Sequence, residues 1–331
     1  MKTPYFTGKT TQPPAQPVTV PVANRLRQTH PAGYLADPGL VDAVNVALLL
    51  GQPLLLTGEP GTGKTQLAYR IAWELGFGVE QKPLLFEAKS TSTAKDLFYT
   101  YDSLRRFHAA HTPEASKDNR DYLTYNALGL AILYANEPAA VRAFVPSDFP
   151  HPGKLRSVVL IDEVDKAPRD FPNDLLNEVE HMYFRIPELN NARITAEAEL
   201  RPILIISSNS ERNLPDAFLR RCVYYHIPFP DKDRLASIVL QRVGNSEAAL
   251  RDEKVLHRAL DFFLQLRERS LHKKPSTAEL INWINVLASS GTPGANALAG
   301  FRDQLSSSLS TLVKHKEDLE EAERFVREYL K

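Results

Sequence analysis

Gly58-Glu59-Pro60-Gly61-Thr62-Gly63-Lys64-Thr65 is the stretch on which the reading of this chain turns. It satisfies the spacing G-x-x-x-x-G-K-[ST], in which glycines let backbone N–H groups curl around phosphate, the lysine adds positive charge and the hydroxyl reaches Mg²⁺. The flanks agree with that use. Leu54-Leu55-Leu56-Thr57 reads as a short buried strand entering the loop, and Leu67, Ile71 and Leu75 recur at helical spacing after it, ending at Gly76. Phosphate then sits at the positive end of the helix dipole, facing unpaired N–H groups. The expected nucleotide contacts are Gly58, Glu59, Pro60, Gly61, Thr62, Gly63, Lys64, Thr65 and the adjoining Gln66, with Thr65 also a metal ligand.

A second motif supplies acid groups. Val158-Val159-Leu160-Ile161 is an apolar run suited to a strand buried on both faces of a parallel sheet, and Asp162-Glu163 emerge at its carboxyl end. Ligands of open α/β sheets bind beyond the carboxyl ends of the strands, so these acids are expected to meet the phosphate loop in space. Asp162 is the candidate for holding Mg²⁺ through water, and Glu163 for polarising the water that attacks the γ-phosphate. An Asp-Glu pair after a strand also suits a bare helix N-terminus, the competing reading.

Three further strands are expected at Leu84-Leu85-Phe86-Glu87, Ile203-Leu204-Ile205-Ile206 and Val223-Tyr224-Tyr225-His226-Ile227. Five strands alternating with helical segments predict an α/β fold, a parallel sheet between helices. The second of these, at Ile203, runs into Ser207-Ser208-Asn209, where Asn209 is a candidate for bonding the attacking water or the γ-phosphate, or else is a turn residue. A helix is expected over Tyr34 to Gly51, and Tyr34 and Leu35, just before the phosphate loop, are candidates for adenine contact or for ordinary packing. Nine histidines show no metal-ligand spacing.

Composition narrows the class. The 331 residues are 43% apolar, room for two or three folding units. Forty basic and 40 acidic residues leave no net field that favours nucleic acid or anionic membrane, although local patches stay open. Cys222 is the only cysteine, which excludes an intramolecular disulfide and suits a reducing cytoplasm; beside Arg220 and Arg221 it is either a reactive thiol or a small core residue. The beginning lacks the apolar core of a signal peptide, and no run reaches the roughly 20 apolar residues of a membrane span. Residues 1 to 30, with Pro4, Pro13, Pro14, Pro17 and Pro21, read as a flexible tail.

Taken together, these motifs resemble the AAA+ ATPases, and within them the MoxR-type group, over about residues 34 to 290. Gly58 to Thr65 matches Walker A, Val158 to Glu163 Walker B, Ser207-Ser208-Asn209 sensor 1, and Leu214 to Cys222 the segment with the arginine finger. Tyr101 to Phe107 and Lys274 to Leu280 look like the same group. The resemblance implies an AAA+ core over 31–229 and a helical lid with C-terminal helices over 230–331, binding ATP and Mg²⁺. It also implies a homo-oligomeric ring, usually a hexamer, in which Arg220 or Arg221 reaches the neighbour's γ-phosphate. One departure stands out: Ser276-Thr277-Ala278, the stretch matching sensor 2, has no arginine, leaving Lys273 or Lys274 as substitutes or as plain surface residues.

Two features go beyond the basic core. The segment from Lys89 to about Ala143 is longer than a strand-to-helix connection needs, with a polar stretch from His111 to Asp121 and a helical pattern from Tyr125 to Ala135. Phe184-Arg185-Ile186 and Arg193-Ile194-Thr195 are expected to pair across Asn190-Asn191 as a hairpin. By resemblance both face the ring pore. Beyond Asp231 the pattern is helical, with apolar faces at Leu235, Ile238, Val239 and Val243, at Leu260, Phe263, Leu264 and Leu266, and at Leu319, Ala322, Phe325, Val326 and Leu330. The expected function is Mg-dependent ATP hydrolysis used to remodel or assemble a protein partner, by resemblance a von Willebrand factor A domain protein. The alternatives are a nucleic-acid motor subunit of a restriction or defence system and a slow nucleotide switch that recruits an effector.

Overall fold

The apolar runs become a five-stranded parallel sheet. The computed structural model describes residues 30–111, 116–209, 214–243, 253–289 and 297–329, so the expected tail lies outside the described residues but for His30. The strands of the sheet are β1 (Leu54–Thr57), β2 (Leu84–Glu87), β5 (Val158–Asp162), β8 (Ile203–Ser207) and β9 (Val223–His226), ordered β2-β5-β8-β1-β9. The two small antiparallel pairs are β3 (Tyr99–Tyr101) with β4 (Leu123–Tyr125) and β6 (Tyr183–Ile186) with β7 (Ala192–Thr195). Leu54 to Leu56 and Val158 to Ile161 are buried throughout, as strands covered on both faces require. Each such aliphatic side chain contributes about 1.5–3 kcal/mol over its exposed state.

The helix before β1 is shorter than its sequence pattern suggests, running Pro38–Leu50 and not from Tyr34. Asp37 stops it: its carboxylate accepts from the Leu40 N–H at 2.8 Å, and Pro38 fills the first turn, where a missing N–H costs nothing. At the other end Gly51 takes the left-handed conformation, φ 62°, that terminates helices.

The long insertion contains β3, the helix Ser103–Ala110, and β4. The next helix starts at Ala127, two residues later than its pattern implies, because Tyr125 is paired with Tyr99. The hairpin forms with Phe184 opposite Ile194 and Arg185 opposite Arg193. Asn190 and Asn191 both have positive φ at its turn, a conformation asparagine tolerates better than most residues. Insertion and hairpin are joined: the Tyr99 hydroxyl and the Lys95 ammonium donate to the Glu188 carboxylate at 2.8 and 2.7 Å, and the Asn119 amide donates to the Glu188 carbonyl at 2.8 Å.

The chain divides into two compact units, Ala36–Glu59 with Gly63–Pro228, and a second that holds the described residues up to Leu35, Pro60–Thr62 and those from Phe229 onward. The second is helical, with Lys232–Val243, Glu253–Glu268, Thr277–Ser289, Ala297–Leu312 and Lys316–Tyr329. Phe262 sits in its core with ring centroids 5.6 Å from Trp283 and 5.1 Å from Phe325, and the Trp283 indole donates to Ser308 at 2.8 Å. Leu235, Val239, Leu260, Phe263, Ala322 and Val326 are buried there, as their spacing implies; Leu330 lies outside the described residues.

Candidate functional site

Parallel pairing brings three strand ends together. Leu56 of β1 lies opposite Ser207 of β8, and Ile161 of β5 opposite Ile206, so the segments that follow all leave from one edge of the sheet. The loop after β1 turns into the helix Lys64–Leu75 through Gly63, whose φ of 94° an L side chain rarely adopts and which offers no side chain to cap the helix. The first N–H groups of that helix are thereby left for a ligand.

Lys64 is only 7% exposed. Its ammonium donates to the carbonyls of Gly58 (2.7 Å) and Glu59 (3.1 Å) and to Asn209 Oδ1 (3.0 Å). Burial pulls its pKa below the ordinary 10.5, opposed by the nearby carboxylates of Asp162, Asp165 and Glu163. Thr65 donates its hydroxyl to Asp162 Oδ2 at 2.9 Å. The structure thus gathers Lys64, Thr65, Asp162 and Asn209 into one cluster, although 145 residues separate Lys64 from Asn209.

Glu163 leaves the end of β5 with φ 55° and ψ 48°, and its carboxylate is ion-paired with Lys166. Arg220 and Arg221 do not join the cluster. Arg221 pairs with Glu180 at 3.2 Å and donates to the Ala217 carbonyl at 3.0 Å, whereas the exposed Arg220 side chain makes no hydrogen bond or ion pair among the described residues. Pro60–Thr62 group with the helical unit, where a Cβ added at Gly61 would lie 2.7 Å from Ser276 Oγ, and the φ of +80° at Gly61 also calls for glycine. Tyr34 and Leu35 belong to the same unit, and the Leu35 carbonyl accepts from Arg234 at 2.9 Å. Lys273 and Lys274 are exposed, Lys273 lying 3.9 Å from Glu279.

Three residues with a place in this cluster are given no role by the sequence, although Ser207 stands inside the Ser207-Ser208-Asn209 match. Ser207 donates to Asp162 Oδ1 and accepts from the Glu163 N–H at 2.9 Å; Asp165 accepts from the Asn209 N–H at 3.1 Å; Lys166 pairs with Glu163. The only hint was position, two residues before Asn209 for Ser207 and two after Glu163 for Asp165.

The sequence profile of the AAA domain (dynein-related subfamily) matches residues 53–222, from the strand that enters the phosphate loop to Cys222 and just over half of the chain. The chain belongs to this family of AAA+ ATPases. No curated protein matches this AAA+ chain. Solved structures similar to it include domain III of the Thermotoga maritima replication initiation protein DnaA, at 15% identity over 94% of this chain and 100% of that one, TM-score 0.41. The Thermotoga maritima RuvB T158V variant is 15% identical over 86% of this chain and 66% of that one, TM-score 0.41. The FIGL-1 AAA domain in complex with ADP is 15% identical over 84% and 78%, TM-score 0.37. Membership of the AAA+ family brings nucleotide binding with it, and the cluster at the ends of β1, β5 and β8 is where this chain carries the matching residues. No helix among the described residues is long and apolar enough to cross a membrane.

Proposed function

We propose that this AAA+ chain is an ATPase of the MoxR type that works in the cytoplasm as a homo-oligomeric, hexameric ring and remodels or assembles a protein partner. The observation that carries the reading is the Thr65 hydroxyl 2.9 Å from Asp162, beside the buried Lys64 bonded to Asn209. A hydroxyl and a carboxylate oxygen are hard donors suited to Mg²⁺, which takes few protein ligands and completes its shell with water and phosphate. When bound, Mg²⁺ neutralises charge that builds on the β- and γ-phosphate oxygens.

The protein's own groups then have distinct tasks. Gly58 to Thr65, followed by Gln66, wrap the phosphates, and Lys64 turns its ammonium from the loop carbonyls to the γ-phosphate. Glu163 leaves Lys166 and accepts the proton of the attacking water as the bond from the γ-phosphorus to ADP breaks. Asn209 orients that water or the γ-phosphate, and Tyr34 and Leu35 meet the adenine. Of the two arginines Arg220 is the better finger, since Arg221 is held by Glu180 and Ala217. The exposed Leu104 and Phe107 of the insertion, 66% and 63% accessible, are the side chains that would grip a protein partner; a von Willebrand factor A domain protein is the first to try.

Nucleotide binding and steady-state hydrolysis of the parent, Lys64→Ala and Glu163→Gln test this. Lys64→Ala should weaken binding, and Glu163→Gln should bind like the parent and lose hydrolysis by about 10²-fold or more, the range for general-base removal. A Glu163→Gln variant that turns over like the parent would refute the assignment. One observation favours the slow switch as a second reading: the Glu163–Lys166 ion pair holds the base on a local partner. Tight nucleotide binding with negligible turnover, restored by Lys166→Ala, would select it.

A further inference from the structure

The β5–β8 ladder pairs Ile161 with Ile206 and goes no further. One residue on, a side chain takes over from the backbone. Ser207, the last residue of β8, is fully buried, and its hydroxyl has one hydrogen to give and lone pairs to accept with. The hydrogen goes to Asp162 Oδ1, and Ser207 Oγ itself accepts from the Glu163 N–H at 2.9 Å. The other carboxylate oxygen, Asp162 Oδ2, takes the Thr65 hydroxyl at 2.9 Å. Asp162 is thus clamped between hydroxyls from the ends of two different elements. Glu163, immediately after it, is held at φ 55°, a left-handed conformation that a non-glycine residue keeps only when its surroundings fix it.

We infer that Ser207 is a positioning residue of the hydrolytic site: one hydroxyl sets the rotation of the Asp162 carboxylate, and with it the metal-facing oxygen, and pins the backbone turn that aims Glu163. The inference rests on the roles proposed above for Asp162 and Glu163. It gives a mechanical reason why both acids respond together. A bond from Ser207 Oγ to each means that a shift of β8 against β5 disturbs the metal carboxylate and the base in one movement. Asn209 lies two residues beyond Ser207 and its N–H is bonded to Asp165 at 3.1 Å, so the end of β8 is tied to the acidic segment at two points.

The test uses the full chain as parent, Ser207→Ala, Ser207→Thr and Ser207→Cys. For each, MgATP hydrolysis, the Mg²⁺ dependence of nucleotide binding and the thermal unfolding midpoint are measured. Ser207→Ala should lower kcat by about tenfold or more, the size expected for a lost hydrogen bond to a charged group, with KM for ATP within about threefold of the parent. Its Mg²⁺ requirement for nucleotide binding should rise severalfold. Ser207→Thr, which keeps the hydroxyl on a strand that suits β-branched residues, should recover both; Ser207→Cys, a weak donor, should fall between. The inference is overturned if Ser207→Ala keeps the parent's kcat and Mg²⁺ requirement. It is equally overturned if all three variants lose activity only in proportion to lost folded protein, the signature of simple packing. A parent that binds nucleotide without turnover would sink the ATPase reading, while the Mg²⁺ requirement of Ser207→Ala would still decide the part played by Ser207.

Discussion

Lys64 and Cys222 show how burial assigns reactivity to single residues. Lys64 is buried among four carboxylates, Asp162, Asp165, Glu163 and Glu59, that oppose the effect of burial on its ammonium, so the positive charge is held where phosphate would meet it. Cys222 has no such company. Burial pushes its thiol up to about 12, so at neutral pH it is protonated and unreactive in spite of the two arginines before it. Folded protein should therefore react with iodoacetamide at pH 8 far more slowly than urea-unfolded protein, by about 10²-fold or more from the thiolate fraction alone. Equal rates followed by mass spectrometry would show that the thiol is a reactive surface group. At this scale the sequence exposed whatever is local: Gly58 to Thr65 and Asp162-Glu163 are contiguous strings whose chemistry depends on neighbours in the chain. Ser207 and Asp165 were hidden because their bonds to Glu163 and Asn209 each span 44 residues, and a serine ending a strand looks like any other.

Among the elements, the link between the Lys316–Tyr329 helix and the loop before Thr277–Ser289 lends itself to measurement. Asp318 is 1% exposed, and its carboxylate accepts from the N–H groups of His272 and Lys273 at 2.7 and 3.1 Å, with His272 Nδ1 at 3.1 Å. Burial raises its pKa, but those hydrogen bonds outweigh burial and hold it below 3.8. A lowered pKa means that the folded state favours the ionised form. Its contribution is whole above the unfolded value and is lost as pH falls through the folded one. Asp318→Asn should accordingly flatten the fall in stability between about pH 5 and 3, followed by urea unfolding at each pH. An unchanged slope would show that the carboxylate does not hold the loop. The sequence made the main sheet legible because each strand is a dense apolar run. It did not show β3 and β4, whose pairing of Tyr99-Thr100-Tyr101 with Leu123-Thr124-Tyr125 rests on two three-residue alternations with a helix between them. It also misplaced the first helix, since apolar bulk says nothing about a cap, and Asp37 decides where the helix starts.

For the whole molecule the question is whether one chain completes its own site. Lys64, Thr65, Asp162, Glu163 and Asn209 come from one unit of one chain, yet no arginine of the Leu214 to Cys222 segment bonds to them. The Arg220 side chain is exposed and has no partner among the described residues, and the proposed ring would use it on a neighbouring subunit. The joined insertion and hairpin lie in the chain on either side of β5. ATP hydrolysis per subunit, followed against protein concentration with mass by light scattering on the same samples, distinguishes a shared site from a solitary one. The rate should rise as the chain assembles, and Arg220→Ala should lower it by about 10³-fold, as loss of an arginine finger does, with nucleotide binding kept and Arg221→Ala much less affected. A rate per subunit that stays flat from monomer upward and is indifferent to Arg220 would contradict a ring ATPase with a shared site.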